Sequence, residues 1–116
     1  MTIVELLMET AVEDSKLLVK NQEQGDRPEV PRDVEFLLYA KDEAKAKLVA
    51  SFITDYRYGR PAVSRFEHKG EVRWSLLVTI HTPTTENVMM TLSAFMVCLS
   101  KLYDLDYDGW GSIIQR

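Results

Sequence analysis

The order in which helix-like and strand-like hydrophobic patterns follow one another along the chain is the feature that most restricts its fold. Three segments carry apolar residues at helical spacing, and four shorter segments have the character of strands. Their order is α, β, α, β, β, α, β, and the last six elements form the split βαβ pattern of a ferredoxin-like sandwich. We therefore predict an α+β fold with an extra N-terminal helix and a four-stranded sheet that contains antiparallel pairs.

The chain divides into a predicted helix at residues 1–22 and a predicted βαββαβ core at residues 33–116. The polar stretch between them contains one glycine and two prolines, which cannot continue a helix. A chain of 116 residues can bury roughly two-thirds of its unfolded surface without disulfides or metal. Both parts are therefore assigned to one domain, residues 1–116.

The first strand is expected at residues 33–39, with a helix at residues 42–56 after it. The strand buries alternate side chains: Val34, Phe36 and Leu38. The helix has these apolar positions: Ala44, Leu48, Val49, Phe52, Ile53 and Tyr56. We expect strands one and three to run parallel with this helix as the crossover, and strand four to begin near Tyr107 and to pair with strand one.

A β-hairpin is predicted from residues 61–67 and 72–81, which flank a turn that contains Gly70. The second face of strands one and three is not cleanly polar. It carries three residues that we treat as candidates for partner binding: Leu37, Tyr39 and Leu77.

The third helix is expected to begin with Thr82 as the N-cap and Pro83 at the first helical position. It is expected to end near Tyr103. Besides its main apolar stripe it carries a second, weaker apolar line, made of Met90, Ala94 and Val97. Because something should cover this line, we expect the first helix to pack against it.

The segment that follows the third helix allows two interpretations. Asp104, Asp106, Asp108 and Gly109 fit the first half of a calcium-binding loop, in which alternate carboxylates converge on one hard cation. The twelfth position of that loop is Gln115, which cannot supply the bidentate carboxylate. The calcium interpretation is therefore the weaker one, and no metal site is assigned.

The second interpretation takes residues 107–110, Tyr-Asp-Gly-Trp, as the start of the last strand. In this tetrapeptide the chain resembles a bacterial family called regulator of ribonuclease E activity B, whose last strand begins in the same way. Residues 25–26 and 31–34 are also similar to that family's approach to its first strand. The resemblance extends from about Lys16 onward, and the tetrapeptide is its most specific part.

The resemblance implies a non-catalytic regulator that binds ribonuclease E and modulates or inhibits its RNA processing by protein contact. It implies ribonuclease E as the protein partner and a ferredoxin-like fold. Members of the family continue past the tetrapeptide into an acidic tail, whereas this sequence ends at Arg116. We therefore expect the fold to be retained more readily than the inhibition.

The charge balance argues against direct binding of nucleic acid. Eighteen acidic and fourteen basic side chains give a net charge of −4, which opposes association with a polyanion. A local basic patch is conceivable only around the predicted hairpin, at Arg57, Arg60, Arg65, Lys69 and Arg73. We interpret these residues as a solvated edge.

Residues that usually carry catalysis are few and scattered. Cys98 is the only cysteine and lies in a segment predicted to be helical, where we interpret it as a small hydrophobic residue. His68 and His81 lie in a turn and at a strand end, with no nucleophile or metal-ligand pattern around them. We therefore predict no enzyme activity and no cofactor. No segment approaches the length of a membrane span, so we expect a cytoplasmic protein.

Aromatic side chains in the last strand are the remaining candidates for function. Tyr and Trp are frequent anchors of protein interfaces, so the candidate partner-binding residues of this segment are Tyr107, Asp108, Gly109 and Trp110. In the competing interpretation the two aromatics complete the core and the glycine permits close packing. The alternative function is a ferredoxin-like interaction module that acts through self-association or an unknown protein partner, using the mixed sheet face.

Overall fold

Seven elements build the fold in the computed structural model, which describes all residues 1–116. They are α1 (Ile3–Glu23), β1 (Arg32–Ala40), α2 (Glu43–Asp55), β2 (Arg60–His68), β3 (Glu71–Thr82), α3 (Glu86–Tyr103) and β4 (Asp106–Ser112). Their order agrees with the prediction. The βαββαβ arrangement that follows α1 confirms the α+β, ferredoxin-like fold class.

The four strands form one sheet in the order β2-β3-β1-β4. Every neighbouring pair is antiparallel, so the expectation that strands one and three run parallel is wrong. The strands that share a direction are β1 and β2, because each is antiparallel to β3, which lies between them. Helix α2 is the crossover between these two strands. The predicted pairing of β4 with β1 is confirmed.

The core lies between one face of the sheet and the helices. The largest hydrophobic side chains that are fully buried there are Val34, Phe36, Leu38, Val49, Ile53, Leu76, Val78, Met89, Met96 and Val97. The predicted inward face of β1 is thus confirmed. Helix α1 packs against α3, as expected from the second apolar line of that helix.

The buried face of α2 differs from the predicted one. The helix buries Ala46, Val49 and Ile53, while the predicted positions Ala44, Leu48 and Tyr56 are exposed. A helix on a sheet buries a stripe roughly 100° wide. Residues spaced by three and four positions share that stripe, whereas Leu48 lies to its side and Tyr56 is already the C-cap.

The start of α3 also differs from the prediction. Thr82 is the last residue of β3 and pairs with Arg32, so it cannot serve as the N-cap. The helix begins at Glu86 with Thr85 as the N-cap. Between them the backbone N–H of Thr84 donates to the carbonyl of Pro28 at 2.8 Å, which ties this segment to the connection between α1 and β1.

The hairpin between β2 and β3 is confirmed. Its two turn residues are Lys69 and Gly70, with φ angles of +52° and +78°. Positive φ at both central residues is the signature of a type I′ turn, whose twist matches that of the flanking strands.

A buried ion pair fixes the connection between α1 and β1. The guanidinium of Arg32 contacts the carboxylate of Asp26, and both side chains are almost completely buried. The same carboxylate accepts a hydrogen bond from the backbone N–H of Gln115 at 2.9 Å. In return the backbone N–H of Arg27 donates to the carbonyl of Gln115 at 2.7 Å. The C-terminal segment is therefore held against this connection.

Candidate interaction face

A β-bulge interrupts β4 within the tetrapeptide. Leu38 pairs with Tyr107 while the neighbouring Leu37 pairs with Gly109, so Asp108 has no partner on β1. Gly109 has a φ of +105°, which residues with a side chain rarely adopt. The glycine therefore allows the strand to take up one extra residue.

The bulge decides where the two aromatic side chains of the tetrapeptide lie. On a regular strand, residues three apart face opposite sides of the sheet. The extra residue places Tyr107 and Trp110 on the same side, across from Leu38 and Phe36. Both aromatic residues pack against the hydrophobic core and are half-buried.

Two side-chain hydrogen bonds attach these aromatic residues to the helices. The indole N–H of Trp110 donates to Oδ1 of Asp14 on α1 at 2.9 Å. The hydroxyl groups of Tyr107 and of Ser93 on α3 lie 3.1 Å apart and share a hydrogen bond. The tetrapeptide thus links the edge of the sheet to both α1 and α3.

Burial changes the acidity of the two groups in this network. Desolvation raises the pKa of Asp14, and the nearby hydroxyl of Ser93 and the hydrogen bond from Trp110 oppose that rise. Desolvation likewise raises the pKa of Tyr107, so its hydroxyl stays protonated. The second carboxylate oxygen of Asp14 is buried without a hydrogen-bond partner.

The face of the sheet that points away from the core is apolar at its centre. We call it the open face and define it by Leu37, Tyr39, Phe66 and Leu77. Leu37 and Leu77 lie directly opposite each other on β1 and β3. The rings of Tyr39 and Phe66 have centroids 5.5 Å apart. All four side chains are half-buried, and the sequence-predicted residues Leu37, Tyr39 and Leu77 are thereby brought together.

Carboxylates border the open face on the side of β4. Glu35 and Asp108 line a shallow depression together with Leu37 and Leu77. Asp106 and Asp108 line a second depression beside Tyr39, and His68 and Arg73 line the same depression from the hairpin. None of these three carboxylates makes an ion pair within the chain. The open face therefore combines an apolar centre with an acidic border.

Acidic partners neutralise most of the basic residues around the hairpin. Three ion pairs form there: Arg60 with Asp33, Arg65 with Glu67, and Arg73 with Glu71. Asp33 also lies 3.0 Å from Nδ1 of His81. Hydrogen bonds from His81 and then Arg60 lower the pKa of this exposed carboxyl group. The arrangement fits the solvated edge expected from the sequence.

The calcium-loop interpretation does not fit the geometry. Asp104 is the left-handed C-cap of α3 and pairs with Lys45 at 3.1 Å. Asp106 and Asp108 belong to β4, and no group of three histidine, cysteine or carboxylate side chains converges anywhere in the chain.

The half-buried thiol of Cys98 has no cysteine to pair with. No helix is long and apolar enough to cross a membrane.

Sequence reasoning missed the polar partners of the tetrapeptide. Asp14 falls on the inner side of α1 at helical spacing from Leu7, Ala11 and Leu18. A carboxylate at such a position is a signal that a buried donor exists elsewhere. Phe66 was missed as well, although the alternation along β2 places it on the same face as Tyr39.

The fold and the open face define a two-layer α+β protein, in which helices cover one side of the sheet and the other side is open and apolar at its centre. The sequence matches the family described as regulator of ribonuclease activity B over residues 11–112. The chain belongs to this family, whose name assigns it to the regulation of ribonuclease activity. A search of curated proteins finds no match.

Proposed function

We propose that this protein binds ribonuclease E through the open face and modulates or inhibits its RNA processing by protein contact. The proposed partner-binding residues are Leu37, Tyr39, Leu77, Asp108 and Gly109, with Tyr107 and Trp110 positioning them. The protein performs no catalysis of its own in this proposal. Such a partner places it in the bacterial cytoplasm.

The observation that carries the proposal is the apolar centre of the open face. An antiparallel sheet with one solvated face normally carries polar side chains on that face. Here Leu37 and Leu77 lie side by side, and the rings of Tyr39 and Phe66 pack next to them at an interplanar angle of 59°. A contiguous apolar group on a surface marks an interaction site, and tyrosine is a frequent anchor of protein interfaces.

The charges around the open face favour a protein partner over RNA. Glu35, Asp106 and Asp108 make no ion pair, Arg73 beside them is paired with Glu71, and the chain has a net charge of −4. A phosphate backbone would be repelled by this border, whereas a basic segment of a nuclease would be attracted to it. Regulation therefore proceeds through contact with the nuclease.

The tetrapeptide at residues 107–110 positions β4 at the border of the open face. Tyr107 and Trp110 fasten β4 to α3 and α1, and the bulge then leaves Gly109 beside Leu37 on the open face. Asp108, which is exposed, is thereby held at the border. In this proposal the aromatic residues fix the shape of the binding face, and the partner touches Asp108 and Gly109.

Calorimetric titration tests the proposal. The protein is titrated separately against the catalytic half and the C-terminal half of ribonuclease E, and RNA cleavage by the full nuclease is followed in parallel. We expect micromolar or tighter binding to one half, a change in cleavage, and no cleavage by the protein alone. Absence of binding to both halves would contradict the assignment of ribonuclease E as the partner.

A further inference from the structure

A stripe of apolar side chains runs along the outer surface of α1. Its members are Val4, Met8, Val12 and Val19, whose exposed fractions are 60%, 65%, 53% and 53%. They are spaced by four, four and seven residues, which places them along one side of the helix. A different side of the helix, which carries Leu18, is buried in the fold. Nothing in the chain covers the stripe.

Charged residues lie beside this stripe, and the sign of their charge depends on their position along the helix. Glu5 and Glu9 lie along one flank in the first half of the helix, and Lys16 and Lys20 lie along the same flank in the second half. Only Lys16 has an ion-pair partner within the chain, Glu13 at 3.5 Å, and both of those side chains are 70% exposed. Glu23 at the end of the helix lies on this flank as well, so the flank is acidic at residues 5 and 9, basic at residues 16 and 20, and acidic again at residue 23.

We propose that α1 is a self-association helix on which two copies of this chain pack antiparallel. A two-fold axis between residues 12 and 13 brings Val12 of both copies together at the centre. Residues 9 and 16 are equally distant from this axis, so Glu9 lies level with Lys16 of the partner subunit. By the same geometry Glu5 lies level with Lys20 of the partner subunit. Two-fold symmetry generates each pair twice.

The charge order identifies the occupant as a second copy in this orientation. In an antiparallel pair the same flanks of two helices meet, so Glu5 and Glu9 of one copy lie level with Lys20 and Lys16 of the other. A parallel pair would bring opposite flanks together, so the charges of this flank would find no complementary partners. The stripe is narrow and extends along a helix of about 30 Å. We therefore expect a weak dimer.

This surface is distinct from the open face. The stripe lies on α1, whereas the open face is formed by the strands on the side of the sheet away from the core. The family match begins at residue 11, so Val4, Glu5, Met8 and Glu9 lie outside it. Self-association through α1 is therefore independent of the binding of ribonuclease E through the open face.

Sedimentation velocity over a range of protein concentrations tests the proposal. We expect the protein to change from monomer to dimer within the micromolar to millimolar range. Met8→Asp should remain monomeric, because it places a charge in the stripe. The matched control is Leu102→Asp, which alters an exposed leucine on α3 and should dimerise like the unaltered protein. A monomer at about 1 mM, or a dimer unaffected by Met8→Asp, would overturn the proposal.

A charge exchange tests the antiparallel register and avoids apolar substitutions. Glu9→Lys alone and Lys16→Glu alone should each weaken the dimer on the order of tenfold, because like charges then meet twice across the axis. The double variant should restore dimerisation, since residues 9 and 16 again carry opposite charges. Failure of the double variant to recover would overturn the register. All variants should bind ribonuclease E like the unaltered protein, which separates this test from that of the proposed function.

Discussion

The indole N–H of Trp110 donates a hydrogen bond to Oδ1 of Asp14 at 2.9 Å and thereby joins the last strand to the first helix. This contact exists only because the bulge at Asp108 turns Trp110 to the helix side of the sheet. The positive φ of Gly109 permits that bulge. A local backbone feature of β4 therefore determines this contact between the sheet and α1, which also packs against α3.

Trp110→Phe should destabilise the protein by about 1–3 kcal/mol, because it leaves a buried carboxylate without its donor. The measurement is the free energy of unfolding from urea titration monitored by circular dichroism. Trp74→Phe is the control, since Trp74 packs against the core without a side-chain hydrogen bond. Equal losses in the two variants would show that the Asp14 contact contributes nothing beyond packing.

The burial of Asp14 should appear in the pH dependence of stability. Its folded-state pKa is raised above 3.8, so the folded state binds more protons than the unfolded state between these two values. Its contribution to stability is therefore full below 3.8 and is lost as the pH rises through the folded-state pKa. The free energy of unfolding of the protein, relative to Asp14→Asn, should increase as the pH falls from neutrality toward 3.8. A difference that stays constant or decreases would contradict this assignment.

Gly109→Ala should destabilise the protein by about 1–2 kcal/mol, because an L side chain is strained at positive φ. The space around the added carbon is open at this position, so the loss is conformational and not steric. Gly111→Ala is a matched control on the same strand, with open space and no positive φ, and should change stability by less than about 0.5 kcal/mol. Chemical denaturation of both variants measures the difference. A loss at Gly111 that equals the loss at Gly109 would contradict the role of the bulge.

Arg32→Met should cost about 3–5 kcal/mol, because it leaves the buried carboxylate of Asp26 without its cation. The control is Arg65→Met, which breaks an exposed pair with Glu67 and should cost no more than about 1 kcal/mol. Thermal unfolding followed by circular dichroism compares the two. Similar melting temperatures for both variants would show that the buried pair does not stabilise the connection between α1 and β1.

The strands could be predicted from the sequence because period-two alternation reports burial directly. Val34, Phe36 and Leu38 were placed on the buried face of β1, and the turn at Gly70 was placed between β2 and β3. The direction of β3 relative to β1 was wrong, since alternation along one strand carries no information about the direction of its neighbour. The start of α3 was wrong because Thr82 and Pro83 satisfy local helix-start rules, whereas pairing with β1 extends β3 to Thr82.

The candidate site was only partly accessible from the sequence. The grouping of Leu37, Tyr39 and Leu77 follows from alternation on two neighbouring strands, and it was predicted. Trp110 lies on the same side of the sheet as Tyr107 because Asp108 is unpaired. Regular alternation along a strand would place these two aromatic residues on opposite faces. Phe66 joins Tyr39 through cross-strand proximity, which requires the strand order.

The most direct test of the open face is a comparison of Leu77→Asp with Leu48→Asp in binding to the half of ribonuclease E that the unaltered protein binds. Leu48 is 56% exposed on α2, on the helix side of the molecule, so its variant introduces the same charge away from the open face. We predict that Leu77→Asp binds at least about tenfold more weakly and that Leu48→Asp binds like the unaltered protein, with both variants folded by circular dichroism. Unchanged binding of Leu77→Asp would contradict the open face as the site of regulation.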